Sequence, residues 1–451
     1  MSTVDAEQTV SAVANRRTSR VAISLVGLGA LSLLWGGWLW RADRSYRTAI
    51  LAIEVEMANG RFGIAARELN KLLDQNPVDA EAAILLGRCE KERGRIKAAG
   101  EALARVAPGS ALSHKAILAR MRLFHDQGQF ASAEQLIADA ALDPRAERAH
   151  LGVLLVPIYS QLGRLDESQR LLEEWWDDLN KHGEGASERA IDQVRMHIEL
   201  EFKPNPVDDA RAYLAQAYAL APGDDRVWLG RANLAIRTGD YKEAMRLLDA
   251  CRERRPEDVP VWLAFFRLGM ASNHEEQVRQ ALAHLPSDSL GTAGIHRLRA
   301  WICARRGDLE SERRELESLA AVDPADLNAL DRLVRLTEMT GQTERMRELV
   351  AKKAEIEALR VRYEKLFDRN QPIRDAEEMA QIAQRLGRIF EARAFLTVEI
   401  SQDSSRADLR KTLEQLASQA SAKSLPTART LAELMARESR GDDKVDARSS
   451  H

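Results

Sequence analysis

Apolar residues recur three and four positions apart along most of the chain, the spacing of a helix with one buried face. In "YKEAMRLLDA", Tyr241, Ala244 and Leu248 share such a face, while Lys242 and Glu243 fall outside it. Each run stops at a Gly, an Asn or a Pro, and the stops are periodic. Gly60, Gly94 and Gly128 stand 34 residues apart, Gly163 follows after 35, and Gly239, Gly307 and Gly341 share one 34-residue register. Asn205 and Asn273 occupy the places 34 before and 34 after Gly239. Gly and Asn are the residues that most readily take a left-handed backbone, so this position is expected to carry positive φ just beyond a helix end. Two residues after the turn come Phe62, Ile96, Phe130, Leu165, Val207, Tyr241 and Leu309. Five after it come Ala65, Ala99, Ala133, Ser168, Ala210 and Ala244, and nine after it Leu69, Leu103, Ile137, Leu172, Leu214 and Leu248. The pattern predicts a second helix with a bulky anchor, a small contact point and a further apolar residue. Prolines at 77, 222, 256 and 324 close the units where a helix should stop.

This beat resembles the tetratricopeptide repeat family, whose 34-residue unit is a helix, a tight turn and an antiparallel helix. Trp228, Gly239, Tyr241, Ala244 and Pro256 fall on its motif positions, as do Gly87, Gly94 and Ala99. The resemblance implies an all-α, right-handed α-solenoid of about ten helix-turn-helix units. The units begin near Tyr46, Ala80, His114, Ala149, Ile191, Asp225, Val259, Ala293, Leu327 and Ile373. One subarray is expected over residues 46–182 and a second over 191–360, joined by the linker "GEGASERA" at 183–190. Residues 361–406 should hold a long-helix extension and the last unit, 407–439 capping helices, and 440–451 a disordered tail. Thr343 to Phe367 contains no breaker and predicts one long helix. Val278, Glu312 and Met346 replace the small residue after the turn, so the seventh to ninth units are expected to pack differently.

The N-terminus changes the picture. After a polar tail at 1–20, residues 21–40, "VAISLVGLGALSLLWGGWLW", carry no charge, and as a helix they would span about 30 Å. Trp35, Trp38 and Trp40 gather at one end and Arg16, Arg17 and Arg20 at the other, as interfacial anchors would. The expectation is an N-terminal single transmembrane helix over residues 21–40 and a single-pass protein of the cell membrane. Its C-terminal domain is expected on the extracytoplasmic (periplasmic) side.

Composition supports helices and narrows function. Aromatics are 5%, charged residues 30% and the net charge is −3, so no basic field favours nucleic acid, and none is expected as a partner. Cys89, Cys251 and Cys303 lie far apart with no CxxC spacing. The histidines form no HExxH pair and no Gly-rich phosphate loop occurs outside the apolar segment. No cofactor, metal or catalytic residue is expected, and the chain is read as a non-enzyme.

By family geometry, the first helices of the sixth to eighth units line a concave wall with Arg226, Asn233, Arg237, Arg267, Arg297, Trp301 and Arg305. These residues form the candidate peptide groove. Its arginines suit a protein or peptide ligand that is acidic or ends in a C-terminal carboxylate. The function implied is a membrane-anchored scaffold or adaptor for protein–protein interaction at the cell envelope. The alternative is a non-catalytic regulatory or assembly subunit of an envelope enzyme or of a secretion or maturation complex. Self-association is left open.

Overall fold

The computed structural model describes residues 44–142 and 148–420, and these are helical apart from short connections. The 34-residue beat becomes a succession of helix pairs. They begin with α1 (44–58) and α2 (Phe62–Gln75) and with α3 (Ala80–Glu92) and α4 (Ile96–Ala104), followed in the chain by α5 (Ser113–Asp126) and α6 (Phe130–Ala140). The fourth unit opens with a broken helix, α7 (Arg148–Gly152), a 3-10 turn (Val153–Leu155) and α8 (Val156–Gln161), followed by α9 (Leu165–Lys181). Pro157 lies in the first turn of α8, where its missing N–H costs nothing, and this restarts the helix. The later helices are α10 (Glu188–Phe202), α11 (Val207–Leu220), α12 (Asp225–Thr238), α13 (Tyr241–Arg254), α14 (Val259–Ala271) and α15 (Glu275–His284). They continue with α16 (Gly291–Arg306), α17 (Leu309–Val322), α18 (Leu327–Met339), α19 (Thr343–Arg369), α20 (Ala376–Arg385), α21 (Ile389–Gln402) and α22 (Ala407–Ala420).

The turn between paired helices has a local chemical cause. Gly239 ends α12 at φ 81°, and the Asp240 carboxylate then accepts the Glu243 amide at 3.1 Å, starting α13. Gly307 and Asp308 repeat the device at the α16–α17 turn, with Ser311 as the capped amide at 3.0 Å. An N-cap of this kind stabilises its helix by about 1 kcal/mol. The Arg306-Gly307-Asp308 tripeptide is therefore a repeat turn. Asn273 adopts φ 61° as the register requires. Asn205 does not take a positive φ: Pro206 follows it, and a residue before proline is driven to extended backbone. The bulkier Val278 is accommodated by Gly269 on the facing helix. A Cβ added there would lie 2.8 Å from Val278 Cγ2, so the missing side chain lets α14 and α15 close.

The chain forms two compact units, one ending at Leu123 and the other beginning at Phe124. In the first, Ile50, Ile53 and Met57 of α1 pack with Leu69 and Leu73 of α2 and with Leu86 of α3. Each fully buried leucine there contributes about 1.5–3 kcal/mol relative to exposure. The second unit has one core across α12–α16 around Trp262, Phe265 and Leu248. Another core joins Trp176, Ile191 and Ile198 to Leu333, Tyr363, Phe395 and Leu396. In that second core, α10 packs on α9 and α21, whereas α11 packs on α8 and α12. The fifth helix pair is thus opened at Lys203-Pro204-Asn205-Pro206, where two prolines forbid the tight turn used elsewhere.

The membrane reading is corrected. Among the described residues no helix is long and apolar enough to cross a membrane, and residues 21–40 lie outside them, as do 1–20 and 421–451. The long helix α19 shows the physical reason within the solenoid. Its sequence interleaves Glu, Lys and Arg throughout, and burying such charges in hydrocarbon would be prohibitively costly. The transmembrane helix, the single-pass membrane localisation with an extracytoplasmic C-terminal domain, the membrane partner and the envelope-anchored function are withdrawn. What stands is the all-α repeat solenoid.

Candidate functional site

The opened fifth pair leaves a groove of about 420 Å³ in the second unit. Its walls come from the α8–α9 turn (Gln161, Leu165, Asp166), the Pro204-Asn205 connection, α11 (Ala210, Leu214), α12 (Asn233, Leu234, Ile236, Arg237) and Arg267 of α14. Leu165, Leu214, Leu234 and Ile236 make an apolar floor, and the polar groups stand around it. Asn233 donates from Nδ2 to the Leu162 carbonyl at 2.9 Å. Its Oδ1 is buried with no hydrogen-bond partner, a situation that costs about 1–3 kcal/mol unless something donates to it.

Three of the seven residues singled out in the sequence, Asn233, Arg237 and Arg267, line this groove together. Arg237 Nη1 donates to the Asn205 carbonyl at 2.8 Å, and Arg267 Nη2 meets Asp166 Oδ2 at 2.6 Å. Asp166 is largely exposed. Arg237 has only a carbonyl as its observed acceptor, so two guanidinium charges face one carboxylate across the groove.

The other four residues are placed elsewhere. Arg226 is buried: its guanidinium pairs with Glu134 of α6 and with Asp258 before α14. Burial opposes its charge, but the hydrogen bonds it donates to Asp258 and the field of Glu134 hold it above the ordinary guanidinium range. Arg164 joins the same network through Glu134 and Glu167. Arg226 therefore joins three helices. Arg297 reaches Asp326 at 2.8 Å and Asp323 at 3.5 Å. Arg305 stacks over Trp301 at 5.1 Å, donates to the Asn273 carbonyl at 2.9 Å and lies 3.4 Å from Glu275.

The bonds from Arg237 to Asn205 and from Arg305 to Asn273 are the same contact 68 residues apart. An arginine two positions before one turn ties off the carbonyl of the preceding turn residue. Sequence periodicity placed these arginines at equivalent positions, and the shared contact supplies a structural use for that equivalence.

A second polar cluster had no periodic signal. Glu391 on α21, only 1% exposed, accepts a 2.6 Å hydrogen bond from Tyr363 and lies 3.2 Å from His197 Nδ1. His197 Nε2 lies 3.2 Å from Glu173. Arg388 pairs with Glu201 and approaches Glu391 at 3.4 Å. A trace of this cluster is present in the sequence of α21, which is apolar nearly all round and buries Phe390, Ala392, Ala394, Phe395 and Leu396. Such a helix must be covered on several sides.

Residues 51–113 match one model described as tetratricopeptide repeat, and residues 207–265 and 235–302 match another. No curated protein matches the chain. Similar solved structures include the APC/C hetero-tetramer Cut9-Hcn1, at 12% identity over 82% of this chain and 89% of that one, with a TM-score of 0.30. A tetratricopeptide repeat protein from Parabacteroides merdae aligns at 16% identity over 57% and 98%, with a TM-score of 0.26. Yeast Tom70 aligns at 14% over 88% and 97%, with a TM-score of 0.23. The matches lie on residues 51–113 and 207–302, and the helix pairs of the described residues repeat the same helix-turn-helix arrangement. The matched models describe repeat segments and name no reaction. Among the described residues no group of three or more His, Cys, Asp or Glu is placed to hold a metal ion.

Proposed function

We propose that the chain is a protein-interaction scaffold and that the groove at the opened fifth pair holds an extended acidic segment of a partner. The observation that carries the reading is the convergence of Arg237 and Arg267, together with Asn233, on one groove with an apolar lining. The apolar lining takes a side chain of the bound segment. The two guanidinium groups take carboxylates, side-chain or C-terminal. A bound carboxylate replaces Asp166 on Arg267; Asp166, being exposed, returns to water at little cost. The inter-repeat arginines Arg297 and Arg305, already held by carboxylates or carbonyls, serve the geometry of the array. The arrangement 191–360 and the connection 183–190 remain the proposed framework for this second subarray.

A fluorescein-labelled peptide of alternating Glu and Leu with a free C-terminus tests the reading by anisotropy. Arg237→Ala with Arg267→Ala should weaken its binding tenfold or more and flatten its salt dependence, while Arg297→Ala changes affinity less than twofold. Equal losses from the two sets, or no binding by the wild type, would sink it.

A further inference from the structure

The groove wall at Pro204 and Asn205 begins where α10 ends, and α10 is held from the far end of the chain. Helix α10 leaves the regular stack, and on the α19–α21 side it adds specific polar ties to an apolar core. His197 meets Glu391, Glu201 meets Arg388, and Arg195 donates to the Phe367 carbonyl at 3.3 Å. At the last residue before the groove wall, Lys203 meets Asp368 at 2.9 Å. On the other side of that wall, the Asn205 carbonyl is the acceptor for Arg237. The connection is thus tied to α19 at one end and to the groove arginine at the other. An opened pair has no turn of its own to fix these residues, so their position rests on these ties.

We infer that α19–α21 acts as a clamp on α10 that sets the position of the Pro204-Asn205 groove wall, so that the C-terminal helices regulate the peptide groove. The inference rests on the groove reading for its functional consequence, but the mechanical link stands by itself. The centre of the clamp is largely buried and charged. Tyr363 and Glu391 are almost wholly buried, and the His197 ring packs on Phe390 with centroids 4.7 Å apart. Buried polar clusters of this kind have few intermediate arrangements, because a half-satisfied network is worse than either a closed or a solvated one. A ligand that favours this position of the wall therefore also favours the closed clamp.

The test uses the full chain and two variants read by hydrogen exchange and by the same peptide titration. Glu391→Gln removes the charge at the centre while keeping the shape. The pair Arg195→Ala with Lys203→Ala cuts the outer ties and leaves the buried centre intact, which guards against a folding failure of the first variant. Both should raise amide exchange of α10 and of residues 203–210 tenfold or more, leave α12–α14 unchanged, and weaken the peptide at least fivefold. Faster exchange in α10 with unchanged exchange at 203–210 would overturn the clamp, as would no change in α10 from either variant. If the wild type binds no peptide, the groove reading fails and the exchange data alone judge the clamp.

Discussion

Raising the pH should loosen α10 from α21 before it disturbs the rest of the second unit. The perturbed group is His197, 7% exposed, with both ring nitrogens 3.2 Å from carboxylates. Burial works against its charge, but hydrogen bonds and the fields of Glu173 and Glu391 outweigh that and raise it from 6.5 to about 9. The folded state therefore holds this proton more tightly than the unfolded chain does. Its stabilising contribution is complete below about pH 6.5 and is lost as the pH climbs through about 9. The rise corresponds to a contribution on the order of 3 kcal/mol. The other charged or titratable groups facing the ring do not share the window. Glu391 is held below the ordinary carboxylate range despite burial, by His197 and Arg388, so its own contribution is lost on the acid side. Burial pushes Tyr363 well above its ordinary value, and Arg388 stays charged. The assay is amide exchange of α10 between pH 6 and 9.5, corrected for intrinsic rates, for the wild type and His197→Gln. At pH 6 the variant should open α10 more easily by up to about 3 kcal/mol, and by pH 9.5 most of the difference should be gone. A difference that stays constant across this range would refute the reasoning, because the ring would then contribute packing alone.

Two further predictions concern the repeat itself. Gly239→Ala should cost about 1–2 kcal/mol, all of it backbone, since φ is 81° and no neighbour lies within 4 Å of the added Cβ. Gly239→Asn should recover part of this, as Asn273 shows, and thermal unfolding reads both. Gly269→Ala should cost about 1–3 kcal/mol through overpacking against α15, and Val278→Ala in the same chain should restore only part of it, because the Val278 backbone nitrogen at 3.0 Å and the His274 carbonyl at 3.2 Å remain. Arg226→Met should destabilise the second unit by about 3–5 kcal/mol in urea unfolding, because Glu134 and Asp258 lose their shared cation.

Much of the solenoid was legible because each repeat solves the same local problem with the same residue types. Gly at the turn, a bulky anchor two later and a small residue five later are demands of backbone shape and helix approach, and they leave a period. The departures lie where a second constraint competes. Asn205 kept the register in sequence but not in conformation, since Pro206 controls its backbone. The first helix of the fourth unit is interrupted by the 3-10 turn Val153–Leu155, which the repeat register does not signal. Family geometry placed Arg226 on a concave wall, but α6 lies against α12 and brings Glu134 to it. The groove residues Asn233, Arg237 and Arg267 were named from sequence, whereas the opening that brings them together was not. Pro204 and Pro206 open the turn locally, but α10 is then held against α21, and the His197–Glu391 contact spans 194 residues, a separation at which no periodic pattern survives.

The footprint of the Glu-Leu peptide on the full chain is the most direct measurement of the central claim. Hydrogen exchange with and without saturating peptide should show protection at residues 160–166, 203–214 and 230–237, on the walls of the opened fifth pair. Protection confined to the first-helix face around Arg297, Trp301 and Arg305, with the opened pair unaffected, would contradict it.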